Sequence, residues 1–387
     1  MNLTKEIIKV SSKYQTPFLL VDPEIIKENY RKIKTSFQGV EVYYAIKANF
    51  DLRILKTLKD MGCGFEIASI GELKPLLKLK VNPSLIISSN PVKTPDFIKM
   101  AFKNKIKRFS FDSKVEIDKI VRFAPKSKVY ARLEVSNIGS EWPLTKKFGL
   151  DLDSVIPLLK YAKKKKLDPY GLMFHVGSQC LNKFNWTKAL KKCHYIFELA
   201  AKEKIHFKKI NLGGGLPVKH THETPTIEEI GQEVNKTIKK LFPKDVRIFI
   251  EPGRAMVGNA GILVTSVIGK AERKNTNWLF LDTGVFQGLM ETIGGIKYKI
   301  ETGKKSGVKK YMLAGPTCDS FDKMFSCYLA NNLRVGDKLY ILDAGAYTTC
   351  YASHFDGFNP PEVHFLKEKR ARRDVIFSRS TNCASLD

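Results

Sequence analysis

The sequence predicts an α/β protein in which a (β/α)8, TIM-like barrel is followed by a β-rich domain. Three observations predict this. Eight apolar, β-favouring runs alternate with helix-period stretches over residues 22–258. Polar and glycine-rich residues stand at the carboxyl ends of several of these runs, where a barrel displays its active site. After Arg254 the runs follow one another with little helix between them, and 387 residues are enough for two domains.

The barrel is predicted over residues 22–258. Asp22-Pro23 is typical of a helix N-cap with proline in the first turn, so a helix is expected to about Phe37. Further helices are expected at 52–61, 70–79, 115–123, 154–164 and 186–202. A doubly wound parallel sheet is the alternative fold. The eight predicted strand runs are 42–48, 64–69, 84–90, 108–113, 128–135, 170–178, 208–215 and 247–254.

The second domain is predicted to combine residues 1–21 and 259–387 in a modified β-barrel or sandwich. Residues 18–21 are expected to join it as a strand, and the tail from Lys367 onward is basic and polar. A helix is expected only near 322–331. The predicted strand runs are 261–269, 278–282, 297–302, 309–314, 338–343 and 362–366.

Composition narrows the class of protein. The hydrophobic content of 43% is that of a soluble globular chain, and neither a signal peptide nor a membrane span is predicted. Seven scattered cysteines without a C-x-x-C pair favour reduced thiols in the cytoplasm and predict no metal site. The net charge of +27 comes from lysines spread along the chain, without a nucleic-acid motif, so no specific nucleic-acid partner is expected.

Lys47 is the most informative residue, because it ends the apolar run that begins at Val42. An amine at the carboxyl end of a barrel strand can form a Schiff base with a carbonyl cofactor such as pyridoxal 5'-phosphate (PLP). The alternative is a lysine that simply reaches solvent. The residues at the other strand ends favour the cofactor.

A phosphate site is predicted where two later strands end. Gly213-Gly214-Gly215 allows backbone N–H groups to approach an anion closely, and Arg254 offers a bidentate phosphate ligand. Ser178 adds a hydroxyl group. The alternative for three glycines alone is a flexible turn.

Glu251 and His175 suit the ring of the same cofactor. A carboxylate facing the pyridine nitrogen keeps it protonated, although a salt bridge between Glu251 and Arg254 is the alternative. His175 stands beside a glycine at a strand end, where it stacks on a planar ring or serves as a core histidine.

The β-rich domain carries a second reactive group of residues. Within Gly315-Pro316-Thr317-Cys318-Asp319, Cys318 is a candidate proton donor and Asp319 a candidate ligand for a substrate ammonium. Helix capping by Asp319 is the alternative, but it leaves the cysteine unexplained. Tyr347 is a further candidate phosphate ligand, or an interface aromatic.

In order and spacing, these residues resemble the fold-type III PLP-dependent decarboxylases of basic amino acids, the alanine-racemase-like group. Within it the sequence is most similar to the short bacterial ornithine decarboxylases and to the lysine/ornithine decarboxylases. The resemblance runs from Thr16 to Phe358. Its motifs are Tyr44-Ala45-Ile46-Lys47-Ala48-Asn49, His175-Val176-Gly177-Ser178, Glu251-Pro252-Gly253-Arg254 and Gly315-Pro316-Thr317-Cys318-Asp319.

The resemblance implies that Lys47 holds PLP, with Glu66 close to the attachment point, His175 on the ring and Glu251 at its nitrogen. It also implies a head-to-tail homodimer, in which Cys318 and Asp319 serve Lys47 of the partner subunit. The remaining residues of the predicted cofactor site are Arg132, Ser178, Gly214, Gly215, Gly253, Arg254 and Tyr347.

The substrate expected from the resemblance is a small amino acid with a distal ammonium, which Asp319 and Asp322 suit by charge. The stretch 286–295 has glycines where eukaryotic relatives carry another acid, and Glu291 is the only acid in reach. The expected reaction is decarboxylation of L-ornithine to putrescine, in polyamine biosynthesis. Lysine (giving cadaverine), arginine and diaminopimelate are alternative substrates, and a racemase or an inactive regulatory or binding homologue are the other classes considered.

Overall fold

The structure, a computed structural model, describes residues 1–144, 147–304 and 306–367. The predicted second domain and its basic tail extend beyond residue 367, outside the described residues. Within these ranges eighteen strands form, in chain order β1 (Phe18–Val21), β2 (Glu41–Ala45), β3 (Gly64–Glu66), β4 (Ile86–Ile87), β5 (Arg108–Phe111), β6 (Lys128–Arg132), β7 (Ser140–Trp142), β8 (Asp168–Met173), β9 (Ser178–Cys180), β10 (Lys209–Asn211), β11 (Arg247–Ile250), β12 (Gly261–Arg273), β13 (Thr276–Leu281), β14 (Ile300–Thr302), β15 (Val308–Ala314), β16 (Lys323–Ala330), β17 (Lys338–Ile341) and β18 (Glu362–Phe365).

Most helices begin at a polar cap, as the sequence predicts. Asp22 accepts a hydrogen bond from the backbone N–H of Glu24 at 2.9 Å, with Pro23 in the first turn. None of the described helices is long and apolar enough to cross a membrane. The α-helices are α1 (Lys5–Ser11), α2 (Pro23–Ser36), α3 (Leu52–Asp60), α4 (Ile70–Lys78), α5 (Pro95–Lys103), α6 (Lys114–Phe123), α7 (Leu152–Lys164), α8 (Asn185–Lys202), α9 (Ile227–Leu241) and α10 (Arg254–Val257).

The eight predicted strand runs each contribute one strand to a parallel sheet. Its order is β4-β3-β2-β11-β10-β8-β6-β5. The two end strands meet through Ser88, whose N–H donates to the carbonyl of Arg108 at 3.1 Å and whose carbonyl accepts from the N–H of Ser110 at 2.9 Å. This contact closes the barrel, so the predicted (β/α)8 fold is confirmed and the doubly wound alternative is wrong.

Large side chains fill the barrel, so it is a packed core and not a pore. Tyr43, Tyr130 and Phe249 are almost fully buried inside it, and the rings of Tyr43 and Phe249 lie 4.7 Å apart. A far larger apolar layer packs between the sheet and the helices outside. Because the centre is solid, ligands have access only to the two ends of the barrel.

The second sheet is mostly antiparallel, and most of its strands follow the barrel in sequence. Its main order is β14-β17-β12-β13-β15-β16, and β1 pairs with both β12 and β18. The predicted return of residues 18–21 to this sheet is therefore confirmed. The long strand β12 shifts register between Val267 and Gly269, which lets its first half pair with β1 and β17 and its second half with β13.

The helix expected near 322–331 is wrong, because this segment forms strand β16. Its residues pair antiparallel with β15, from Lys323 opposite Ala314 to Ala330 opposite Val308. Phe325 and Leu329 are buried by this pairing. Cross-strand burial of β-favouring residues outweighs a local helix signal here.

Candidate active site

Lys47 lies at the carboxyl end of the barrel, in the 3-10 turn Ile46–Ala48 that follows β2. The carbonyl of Ala48 accepts a hydrogen bond from the N–H of Tyr347 at 2.8 Å. The side-chain amide of Asn49 donates to the carbonyl of Gly345 at 3.0 Å. Contacts from the segment between β17 and β18 therefore hold this turn. The Lys47 side chain keeps 49% of its surface accessible because it faces a cavity.

Carboxylates dominate the surroundings of the Lys47 amine. Its Nζ lies 3.8 Å from Oε2 of Glu66, the last residue of β3. The charge of Glu66 is the main cause that raises the pKa of Lys47; burial opposes it, and Tyr347 and Glu251 add to it. The free amine is therefore an ammonium at neutral pH. It attracts an anionic aldehyde, and it must lose a proton before it acts as a nucleophile.

Glu251 follows β11 and is 5% exposed. Its Oε1 accepts hydrogen bonds from Nδ2 of Asn211, at 2.5 Å, and from the hydroxyl of Ser89. Burial raises the pKa of Glu251 to about 7, the charge of Glu66 adds to this, and the two hydrogen bonds oppose it. A carboxyl group that exchanges its proton near neutral pH is suited to share a proton with a pyridine nitrogen.

His175 follows β8 with a defined ring orientation. Its Nδ1 accepts a hydrogen bond from the N–H of Gly177 at 3.0 Å. Burial holds the pKa of His175 well below its usual value, and the positive charges of Arg132 and Lys47 act in the same direction. The imidazole is therefore neutral, and a neutral flat ring is suited to stack on an aromatic cofactor.

The three glycines after β10 form a cradle, and their positions leave no room for a side chain. A Cβ on Gly214 would lie 2.7 Å from the carbonyl oxygen of Glu251 and 3.1 Å from Nε2 of His175. A Cβ on Gly215 would overlap the carbonyl oxygen of Gly177, and Gly215 has φ +102°. Because only glycine fits, the backbone N–H groups stay open to an anion.

Arg254 begins α10 beside this cradle. Its Nη1 and Nη2 bind the carboxylate of Glu291 at 2.8 and 2.5 Å, and Nη2 donates to the hydroxyl of Ser178 at 3.2 Å. Its buried Nε has no hydrogen-bond partner among the described residues. Arg254, Ser178, Gly214, Gly215 and Tyr347 line one small recess with Lys47. The unpaired donor and the glycine cradle fit the phosphate group of PLP.

A cavity of about 600 Å³ joins these residues, a volume typical of small-molecule sites. It brings together most of the predicted cofactor residues, while Gly214, Gly215, Gly253 and Arg254 line the recess next to it. The cavity lining is Lys47, Glu66, Ala68, Ser89, Asn90, Arg132, Trp142, Pro143, Leu144, Lys147, Phe148, Met173, His175, Ser178, Glu251, Glu291, Tyr347 and Tyr351.

Cys318 and Asp319 are not among the described residues that line this cavity. Cys318 is exposed, and its backbone N–H donates to Oδ2 of Asp356 at 3.0 Å. Hydrogen bonding of the thiol to Asp356 raises the pKa of Cys318. Asp319 accepts the N–H of Phe321 at 2.8 Å, and Phe321 is itself strongly exposed. The chain therefore presents this turn outward and does not bring it to its own Lys47.

The prediction for Asp322 is wrong, because its carboxylate is buried and accepts hydrogen bonds from within the protein. Its Oδ1 accepts the N–H of Val285 at 2.8 Å, and its Oδ2 accepts the N–H and the hydroxyl of Thr317 at 3.0 and 2.7 Å. A group with three internal donors has little capacity left for a substrate ammonium. We therefore assign Asp322 a structural role in place of the predicted substrate contact.

Glu291 also differs from its prediction as a substrate ligand. It is buried and pairs bidentately with Arg254, and the hydroxyl of Tyr298 lies 3.5 Å from its Oε2. The main partner of Glu291 is thus Arg254, which is the predicted phosphate ligand. Arg254 thus pairs with Glu291, and not with Glu251 as the alternative interpretation of Glu251 expected.

Sequence reasoning missed several residues of the site. Ser89 and Asn211 hold Glu251, and Trp142 and Phe148 line the cavity from the segment after β6. The polar strand ends Ser89-Asn90 and Asn211 carried a usable signal, since they end barrel strands like Lys47. Trp142 and Phe148 carried none, because neither ends a predicted barrel strand.

Comparisons with known proteins identify the family of this chain. A family model described as pyridoxal-dependent decarboxylase, pyridoxal binding domain, matches residues 24–258. The lysine/ornithine decarboxylase of Selenomonas ruminantium is 35% identical over 358 residues, which cover 92% of this chain and 90% of that relative.

Solved structures show the same fold. A variant of SrLDC crystallised in complex with PLP has a TM-score of 0.90 and 33% identity, covering 95% of this chain and 97% of its own. The arginine decarboxylase of Paramecium bursaria Chlorella virus has a TM-score of 0.87 and 28% identity, covering 93% and 99%. The predicted family and cofactor are confirmed: the chain belongs to the fold-type III PLP-dependent decarboxylases that act on basic amino acids.

Proposed function

We propose that this protein converts L-ornithine to putrescine, in a homodimer whose active sites each combine residues of both chains. The observation that carries the proposal is a division of the site. Lys47 lies in a cavity with the residues that would hold PLP, whereas Cys318 is exposed and Asp319 partly exposed on a turn outside this cavity. A second copy of the chain completes the site when its turn covers the cavity.

The residues around Lys47 match the parts of PLP. Arg254, Ser178 and the backbone at 214–215 would hold the phosphate, Glu251 would hold the proton at the pyridine nitrogen, and His175 would cover one ring face. When bound, PLP supplies an electron sink for the bond between Cα and the carboxylate. The protein's contribution is to orient that bond and to exclude water.

The charges in the cavity favour one substrate orientation. Its carboxylates are already engaged, since Glu66 lies near Lys47 and Glu291 binds Arg254. Arg132 and Lys147 add positive charge to the lining. A substrate carboxylate is therefore attracted inward, while a distal ammonium needs an acid from elsewhere, which Asp319 of the partner subunit would supply.

Cys318 would return a proton to Cα after CO₂ leaves. Asp356 raises the pKa of the thiol, so the thiol keeps its proton at neutral pH. A protonated thiol is the acid form that this step requires.

Lysine is the second candidate substrate, because the Selenomonas relative is named for both amino acids and lysine is only one methylene longer than ornithine. Diaminopimelate fits less well, since it would bring a second carboxylate to the acidic turn at Asp319. An inactive regulatory homologue would be expected to lose Lys47 or the phosphate ligands, and this chain keeps them.

The test is CO₂ release from ornithine, lysine, arginine and diaminopimelate by the PLP-loaded protein. We expect the highest kcat/KM with ornithine, followed by lysine. Activity with none of the four would overturn the proposed reaction. A clear preference for arginine or diaminopimelate would overturn the substrate assignment and leave the decarboxylase assignment intact.

The shared site has a test of its own, which mixes two impaired variants. Lys47→Ala and Cys318→Ala each lose activity, the second by roughly 10²-fold. If sites are shared, a re-equilibrated mixture regains ~25% of wild-type activity, because half of the dimers then carry one intact site. Should the mixture stay inactive while both variants fold and dimerise, each site belongs to a single chain.

A further inference from the structure

We propose that the indole of Trp142 forms the wall that limits the length of the substrate side chain, with Gly294 as its support. This inference rests on the proposed function and makes it more specific. It concerns a residue of the cavity lining that the cofactor does not need.

A short antiparallel pairing of two strands that are distant in sequence sets the position of Trp142. Strand β7 pairs antiparallel with β9, and Trp142 lies opposite Ser178, whose hydroxyl accepts a hydrogen bond from Arg254. The buried side chain of Asn137 ties this segment to the barrel. It accepts the N–H of Leu144 at 2.7 Å and donates to the carbonyl of His175 at 3.2 Å. Trp142 is therefore held next to the cofactor site by hydrogen bonds on both sides of it in the chain.

Gly294 contacts the indole of Trp142. A Cβ placed on Gly294 would overlap Cζ3 and Cε3 of Trp142 and lie 3.3 Å from Cη2. The six-membered ring thus lies directly on the Gly294 backbone. Gly294 comes three residues after Glu291, which binds Arg254, so the same segment supports the wall and the phosphate ligand. This contact leaves no room for the indole to move toward Gly294.

Trp142 supplies the largest side chain of an apolar wall. Pro143, Leu144 and Phe148 continue this wall in the same cavity. The polar lining residues match the cofactor and the substrate carboxylate, so the methylene groups of a diamino acid are left to this apolar part. A pocket wall of this kind discriminates one methylene by roughly 10–200-fold in kcat/KM. The indole is thus placed to separate ornithine from lysine.

The test compares kcat/KM for lysine with kcat/KM for ornithine in Trp142→Ala, Trp142→Phe and the wild type. We expect the lysine-to-ornithine ratio to rise by about 10-fold in Trp142→Ala and by less in Trp142→Phe. Gly294→Ala should also change the ratio, because its methyl group overlaps the indole and displaces it. Tyr195→Ala is the control: it removes a half-exposed aromatic on α8, outside the cavity, and should leave the ratio unchanged.

Equilibrium binding of putrescine and cadaverine to the PLP-loaded variants, measured by calorimetry, gives a readout that does not depend on turnover. Cadaverine should gain affinity relative to putrescine in Trp142→Ala. Equal losses for both diamines and both amino acids would mean that Trp142 only stabilises the fold, which overturns the inference. A wild type that releases CO₂ from neither amino acid would overturn the proposed function, and this inference with it.

Discussion

The two ends of the barrel use charge in opposite ways. At the carboxyl end, Glu66 and Glu251 both act on one cation, Lys47. At the amino end, two cations share one acid: Lys209 and Arg247 lie 3.0 and 2.5 Å from Oε1 of Glu41. Glu251 at the carboxyl end exchanges its proton near neutral pH, whereas the charges at the amino end form ion pairs.

The two ends of the barrel also differ in how tightly their side chains pack. At the amino end, Nζ of Lys209 lies 3.9 Å above the ring of Phe249, and Arg108 lies over the ring of Tyr43. These cation–π contacts fill the base of the barrel and leave little room for a ligand. At the carboxyl end the same barrel opens into about 600 Å³. The amino end is therefore packed and ion-paired, which favours stability, whereas the carboxyl end keeps an open cavity lined by groups with shifted pKa values, as active sites do.

Removing the acid at the pyridine position should have the largest effect. Glu251→Gln keeps the shape of the side chain but cannot hold the proton, so we expect turnover to fall by roughly 10²-fold or more. Steady-state CO₂ release measures this loss. The matched control is Glu41→Gln at the other end, which should keep near wild-type turnover. Equal losses of turnover in the two variants would mean that catalysis does not depend on the carboxyl end more than on the amino end.

In the cofactor-free protein, Glu251→Gln should become more stable relative to wild type as pH rises. The pKa of Glu251 in the folded chain is about 7, above its ordinary 4.5. The folded chain therefore binds this proton more tightly than the unfolded chain does. Its contribution to stability is fully present below pH 4.5 and is lost as pH rises to 7. Relative to wild type, Glu251→Gln should therefore gain on the order of 3 kcal/mol across this window.

Urea unfolding of the cofactor-free proteins at pH 4.5 and 7.5 measures this difference. Glu72, whose pKa burial also raises to about 7, stays in both proteins and cancels in the comparison. If the difference between the variant and the wild type is the same at both pH values, Glu251 does not titrate as the structure indicates.

Breaking the paired end should cost stability and spare catalysis. Glu41→Gln leaves Lys209, which is 3% exposed, without an anionic partner. We expect a loss of about 2 kcal/mol, less than for a fully buried pair because Glu41 keeps 26% of its surface in water. Denaturant unfolding at pH 7 measures it. An unchanged free energy of unfolding would mean that Arg247 and the aromatic rings hold the amino end without Glu41.

The sequence predicted the carboxyl end well, because its signals are local. A lysine, a glycine triplet or an arginine that ends a buried apolar run can be read from neighbouring residues, and the barrel then brings the strand ends together. Lys47, Gly214 and Arg254 were found in this way. The N-cap Asp22 was found for the same reason, since capping depends on only a few adjacent residues.

Contacts between distant segments could not be predicted in this way. Glu291 pairs with Arg254, 37 residues away in sequence, and Asp322 accepts from Val285 at the same separation. Neither pairing has a periodic or capping signal. Strand β16 was missed because its partner β15, and not its own sequence, decides that it is extended. Trp142 was missed because its place in the cavity depends on the pairing of β7 with β9, which is distant in sequence.

The claim on which the rest depends is that Lys47 carries the cofactor. Borohydride reduction of the PLP-loaded protein, followed by digestion and peptide mass spectrometry, tests it directly. We predict that the pyridoxyl group is attached to Lys47 and that Lys47→Ala shows no such attachment. Attachment to Lys147, the other lysine of the described cavity lining, or to any other lysine would contradict the account.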